Sequence, residues 1–64
     1  MTTTNEILHQ LRQQMPAIEL EITEARRLIG MLEQAGEDTT DLRRQLSELE
    51  QRKRRWQVVL NQHQ

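Results

Sequence analysis

The strongest constraint on this chain is a regular apolar stripe between Leu8 and Leu32. Its members follow one another at alternating spacings of 3 and 4 positions, which is the a/d pattern of a heptad. The stripe consists of Leu8, Leu11, Met15, Ile18, Ile22, Ala25, Ile29 and Leu32. Because such spacing keeps a narrow seam on one side of a helix, the stripe predicts a second helix that covers it.

The C-terminal half carries a second stripe with the same spacing, which predicts the partner helix within the chain. Its members are Leu42, Leu46, Leu49, Lys53, Trp56, Leu60 and His63. A polar residue in a seam lowers stability while it fixes register and oligomeric state. We assign this role to Lys53, whose ammonium is expected to reach Glu19 or Glu21 on the first helix.

The segment between the two stripes predicts a tight turn. Ala35-Gly36 should end the first helix, because a glycine just past the last periodic residue is the common C-terminal cap. We predict one domain over residues 1–64, with helix 1 over about 4–35, a turn over 36–39 and helix 2 over about 40–62. So short a connection makes the two helices antiparallel neighbours.

The predicted fold class is all-α, an antiparallel, coiled-coil-like two-helix hairpin that dimerises into a four-helix bundle. Reflection about the turn pairs residues whose numbers sum to about 75. The predicted hairpin core consists of Ile18, Ile22, Ala25, Ile29, Leu32, Leu42, Leu46, Leu49, Trp56 and Leu60.

Pro16 interrupts the first stripe and leaves two interpretations open. Inside a helix, proline removes a backbone hydrogen bond and costs about 3 kcal/mol, so helix 1 would continue with a kink. At the first position of a new helix it costs little, so a short helix could end just before it. The stripe keeps its phase through Pro16, which favours the kinked, continuous helix.

The small size of the chain predicts self-association. A chain of 64 residues is close to the lower limit for folding on its own core, and it has no cysteine for a disulfide. Several apolar residues also lie off the seam or beyond the reach of the second helix, so we expect a homodimer. The predicted dimer or partner interface consists of Ile7, Leu8, Leu11, Met15, Leu20, Leu28, Met31, Val58 and Val59.

The arm before Pro16 has two interpretations. Residues before about Leu11 have no counterpart in the hairpin, so Ile7 and Leu8 are expected to need cover from another molecule. The arm is either part of the dimer or a helix that binds a different protein.

The basic run at residues 52–55, followed by Trp56, also has more than one interpretation. Reflection about the turn places this run beside Glu19, Glu21 and Glu24, which predicts charge-matched flanks of the hairpin. Alternatively, a basic run beside an aromatic residue could bind nucleic acid, or an acidic protein. The nucleic-acid contacts would then be Arg44, Arg52, Arg54 and Arg55.

The residue types that support catalysis or metal binding are sparse. The two histidines, His9 and His63, lie at opposite ends of the sequence, and Ser47 is the only serine. We therefore expect no enzyme activity, no cofactor and no metal site. The net charge of −1 and the lack of a long apolar run predict a cytoplasmic protein that does not bind membranes.

We therefore expect a non-enzymatic, self-associating interaction module that acts as a small regulator, inhibitor or adaptor of an unidentified protein partner. The alternative is an RNA- or DNA-binding regulator. In length and two-helix outline the chain resembles Rop-type plasmid regulators, and this resemblance implies paired hairpins that form an RNA-binding four-helix bundle. Small hairpins of this kind are also encoded by phages and mobile elements, where they inhibit host proteins.

Overall fold

The computed structural model describes residues 3–63, which form two α-helices, α1 (Thr4–Gln34) and α2 (Thr40–Gln62). Arg26 lies opposite Glu50 and Glu33 lies opposite Arg43, so the two helices run antiparallel. The molecule measures 49 × 21 × 15 Å, which is the shape of a hairpin one helix thick. The prediction of an all-helical chain with two packed helices is confirmed.

A capping box begins α1. The hydroxyl oxygen of Thr3 accepts a hydrogen bond from the Glu6 backbone N–H at 3.2 Å. The Glu6 carboxylate in turn accepts one from the Thr3 N–H at 3.3 Å. Two of the amides that a helix start leaves unpaired are thereby satisfied, as the Thr–x–x–Glu spacing predicts.

Pro16 lies in the interior of α1, and the helix runs through it without interruption. The alternative of two separate helices is therefore wrong. The proline costs one backbone hydrogen bond, about 3 kcal/mol in a helix interior. Continuity keeps Met15 half-buried and Ile18 buried on the same seam, and this burial offsets part of the cost.

The end of α1 is a Schellman motif centred on Gly36. The Glu37 N–H donates to the Leu32 carbonyl at 2.9 Å, and the Gly36 N–H donates to the Glu33 carbonyl at 3.0 Å. Gly36 has a φ of 80°, a left-handed conformation that residues with a Cβ adopt only at a cost. After the turn, the Asp38 carboxylate accepts from the Thr40 N–H at 2.9 Å at the start of α2.

The core lies along the seam and is one-sided. Its buried apolar side chains, each 4–5% exposed, all come from α1, and they are Leu8, Ile18, Ile22 and Ile29. The α2 seam is only half-buried, and this applies to Leu42, Leu46, Leu49, Lys53, Trp56 and Leu60. A single helix can cover only part of its neighbour's surface, so a two-helix layer leaves the flanks of the seam open to solvent.

Leu8 corrects one prediction about the arm. Only 5% of its surface is exposed within the single hairpin, so it does not need a second molecule to cover it. The segment before Pro16 therefore belongs at least partly to the hairpin, since its leucine continues the seam. Ile7, the next residue towards the N-terminus, is 48% exposed because it points about 100° away around the helix.

Candidate interaction surfaces

Three ion pairs between the helices lie along one side of the hairpin, which we call the ion-paired flank. They are Arg26–Glu50 at 2.8 Å, Glu33–Arg43 at 2.6 Å and Glu19–Lys53 at 3.9 Å. Between them lies an open groove of about 300 Å³ that is lined mostly by polar and charged side chains. Because the pairs are largely open to solvent, each contributes little to stability.

The predicted charge match at residues 52–55 is limited to a single pair. Lys53 reaches Glu19, as its place in the seam predicts. Within residues 3–63, Arg52, Arg54 and Arg55 form no ion pair, and Glu24 pairs instead with Arg27 on its own helix at 2.7 Å. Successive helical residues point about 100° apart, so only one of four consecutive cations can face the neighbouring helix.

A second apolar surface runs along the side of α1 that faces away from α2. We call it the outer stripe, and it consists of Ala17, Leu20, Leu28, Met31 and Ala35. It lies roughly 140° around the helix from the seam, given 100° per residue. Leu20, Met31 and Leu28 are 61%, 56% and 45% exposed, so they remain largely open to solvent in the single hairpin.

The remaining residues of the predicted interface do not form one surface. Leu11 and Met15 are half-buried at the edge of the seam. Val59 is 37% exposed on the same side of α2 as Trp56, whereas Val58 is 55% exposed and faces away from the seam. The structure therefore brings together only three members of the set, Leu20, Leu28 and Met31 on α1, and it adds Ala17 and Ala35 to them.

The flank opposite the ion pairs has a different character. Its groove, of about 250 Å³, is lined by Gln14, Ala17, Ile18, Glu21, Arg52 and Trp56. No ion pair joins the two helices on this flank in the described part of the chain. The half-buried Trp56 and the exposed Arg52 both line this groove, so an aromatic side chain and a cation without an ion pair among the described residues occupy the same flank.

A polar clamp closes the loop end of the hairpin. The Glu33 carboxylate accepts hydrogen bonds from the Arg43 guanidinium at 2.8 Å and 2.6 Å and from the Thr39 hydroxyl at 2.7 Å. Arg43, and secondarily Thr39, lower the pKa of Glu33 below its ordinary value. Thr39 is only 5% exposed, so its hydroxyl needs this acceptor.

The candidate groups for chemistry lie apart. His9, Ser47 and His63 are all exposed. Residues 3–63 contain no cluster of three or more His, Cys, Asp or Glu side chains arranged to hold a metal ion. Neither helix, as far as it is described, is long and apolar enough to cross a membrane.

Two features of these surfaces were missed by the sequence reasoning, although a signal for each was present. Glu33 and Arg43, like Arg26 and Glu50, have numbers that sum to about 75, so reflection about the turn would have paired them. The apolar residues of the outer stripe lie at spacings of 3, 8, 3 and 4, with Glu24 in the middle of the long interval, and they were counted as scattered residues off the seam.

No protein-family model matches the chain, and comparisons with curated proteins and with solved structures found no significant similarity. The two helices and their exposed surfaces are therefore the basis for the function proposed below.

Proposed function

We propose that this protein is a non-enzymatic interaction module that self-associates through the outer stripe of α1 into a four-helix bundle. In this form it acts as a small regulator, inhibitor or adaptor of another protein. The observation that carries the proposal is the outer stripe itself. An apolar surface that is several turns long and open to water is unfavourable in a stable monomer and is typical of an interaction site.

The total surface of the hairpin supports this proposal. The chain exposes 5189 Å². A monomer of 7.7 kDa is expected to expose only about 4,300 Å². The excess is close to the area that one partner contributes to a standard protein–protein interface, about 800 Å². A second hairpin packed on the outer stripe would therefore bring the exposed surface into the usual range.

The test is the dependence of thermal stability on protein concentration. If folding and association are linked, the thermal midpoint rises with concentration by mass action. Circular dichroism melts over a hundredfold concentration range, together with sedimentation equilibrium, measure both effects. A folded, helical monomer with a constant midpoint would contradict the proposal.

Nucleic-acid binding is the second candidate, and one observation favours it. Arg52, Arg54 and Arg55 form no ion pairs within residues 3–63, and Arg52 lines a groove together with Trp56. Free guanidinium groups bind phosphates, and the face of an aromatic ring can stack on a base. These cations are spread around α2, however, so no single groove gathers all three.

A salt titration of binding to random-sequence RNA tests this second candidate, since phosphate binding weakens steeply as salt is added. Replacing Arg52 and Arg55 together by Gln should weaken the binding and reduce its salt dependence. Arg26→Gln is the matched control, because Arg26 is already paired with Glu50. Equal loss in the two proteins, or no binding at low salt, would rule out a specific contact at this site.

A further inference from the structure

The proposed self-association does not by itself specify the orientation and register of the two α1 helices. The outer stripe predicts both. We propose that the stripe packs against the same stripe of a second copy in antiparallel orientation, with Glu24 on the two-fold axis. This inference rests on the proposed self-association and adds its register.

Four of the five residues of the outer stripe lie symmetrically about Glu24, and the exception is Ala35, whose counterpart is Gln13. Leu20 and Leu28 lie four positions on either side of it, and Ala17 and Met31 lie seven positions on either side. A two-fold axis perpendicular to α1 at Glu24 pairs each residue with the one at the same distance on the other side. Leu20 then packs on Leu28 of the second copy, and the small Ala17 faces the long Met31, so side chains of different size fill the contact.

This axis brings the two Glu24 carboxylates together. The two Glu21 side chains then lie on one side of the contact and the two Arg27 side chains on the other, so these residues form no ion pair between the copies. Arg27 already holds Glu24 of its own chain at 2.7 Å, and this contact raises the pKa of Arg27. The two Glu24 carboxylates that meet at the axis are thus each paired with a cation.

A parallel, in-register arrangement of the two α1 helices pairs the side chains less well by size. It sets Met31 against Met31 and Ala17 against Ala17, which leaves one end of the contact crowded and the other end empty. The antiparallel arrangement pairs the large side chain with the small one at both ends.

A single cysteine on the axis tests the register, because the natural chain contains no cysteine. In Glu24→Cys the two sulfur atoms meet across the axis, and mild oxidation should give a disulfide-linked dimer in high yield. Thr23→Cys is the matched control. Thr23 is also exposed, is one position away, and faces the ion-paired flank. It should cross-link at least about tenfold less, since its side chain points about 100° away.

A second measurement covers the case in which Glu24→Cys disturbs the fold. Leu20→Cys and Leu28→Cys chains, mixed in equal amounts before oxidation, should give mainly the mixed 20–28 disulfide, with helicity monitored by circular dichroism. Preferred 20–20 and 28–28 products, or equal cross-linking of Glu24→Cys and Thr23→Cys, would overturn the register. Sedimentation of the natural chain distinguishes the self-association from its register. A dimer that does not give the predicted cross-links would support the self-association and contradict the axis at Glu24. A monomer would contradict both.

Discussion

Two apolar stripes run along α1, and they differ in burial far more than in composition. Ile22 in the seam is 5% exposed, whereas Leu20, two positions earlier in the outer stripe, is 61% exposed. The seam is covered because the short loop returns α2 over it. The outer stripe has no helix of its own chain above it, and its apolar spacing is interrupted at Glu24. Chain connectivity therefore decides which of the two faces is covered within the hairpin.

The largest expected effect comes from a charge in the seam. Ile22→Asp places a carboxylate without a partner in the buried centre of the hairpin, and we expect it to abolish cooperative folding, a loss of about 4 kcal/mol or more. Circular dichroism should show little helix at every concentration tested. A cooperative melt with helicity close to that of the natural chain would mean that the seam is not the core.

The same substitution in the outer stripe should have a different effect. Leu20→Asp removes no burial within the hairpin, but it places a charge in the proposed contact between copies. We expect the dissociation constant of the dimer to rise at least about tenfold, which corresponds to 1.4 kcal/mol. At high concentration the helicity should recover.

Gln51→Asp is the control for Leu20→Asp, because Gln51 is exposed on α2, away from both stripes. It should leave association unchanged when measured by sedimentation equilibrium. If Leu20→Asp and Gln51→Asp associate equally well, the outer stripe does not form the contact.

The sequence predicted the seam well, since its periodicity, the capping residues around Thr3 and the glycine at position 36 all act locally. It predicted less of the surfaces. Leu8 was assigned to an overhanging arm from its distance to the turn, whereas it is 5% exposed within the hairpin. The charge match at residues 52–55 was overestimated because the pairing by distance from the turn left out the 100° rotation between successive helical residues.

Lys53→Leu tests the seam, whereas Leu20→Asp tests the outer stripe. The Lys53 ammonium lies 3.9 Å from Glu19, a distance at which an exposed pair contributes little. A leucine there makes the α2 seam more apolar, and we expect the free energy of unfolding to rise by about 1 kcal/mol. Association should also become less specific, with larger species in sedimentation velocity experiments. An unchanged or lower stability would mean that Lys53 is not part of the seam.

The smallest expected effect concerns the polar clamp at the loop end of the hairpin, in which Glu33 binds Arg43 and Thr39. The outer stripe has no such clamp. The pKa of Glu33 is lowered in the folded protein by Arg43 and Thr39. Its contribution to stability is therefore fully present above the ordinary carboxylate pKa and is lost as the pH falls through the lowered value. Thermal midpoints measured from pH 6 downwards should fall less steeply in Glu33→Gln than in the natural chain.

Glu37→Gln provides the comparison for the clamp. Glu37 lies in the same turn, and its side chain makes no ion pair or hydrogen bond with residues 3–63. It should keep the pH dependence of the natural chain. Identical pH profiles for the Glu33→Gln variant and the natural chain would show that the clamp does not contribute to stability.

The central claim is that the outer stripe is covered by a second copy of the chain. Sedimentation equilibrium of the natural chain, from low to high micromolar concentration, tests it most directly. We predict a reversible equilibrium that approaches twice the chain mass of 7.7 kDa, with helicity that increases as the dimer forms. A species that remains at the mass of a single chain and is fully helical over the whole range would contradict the claim.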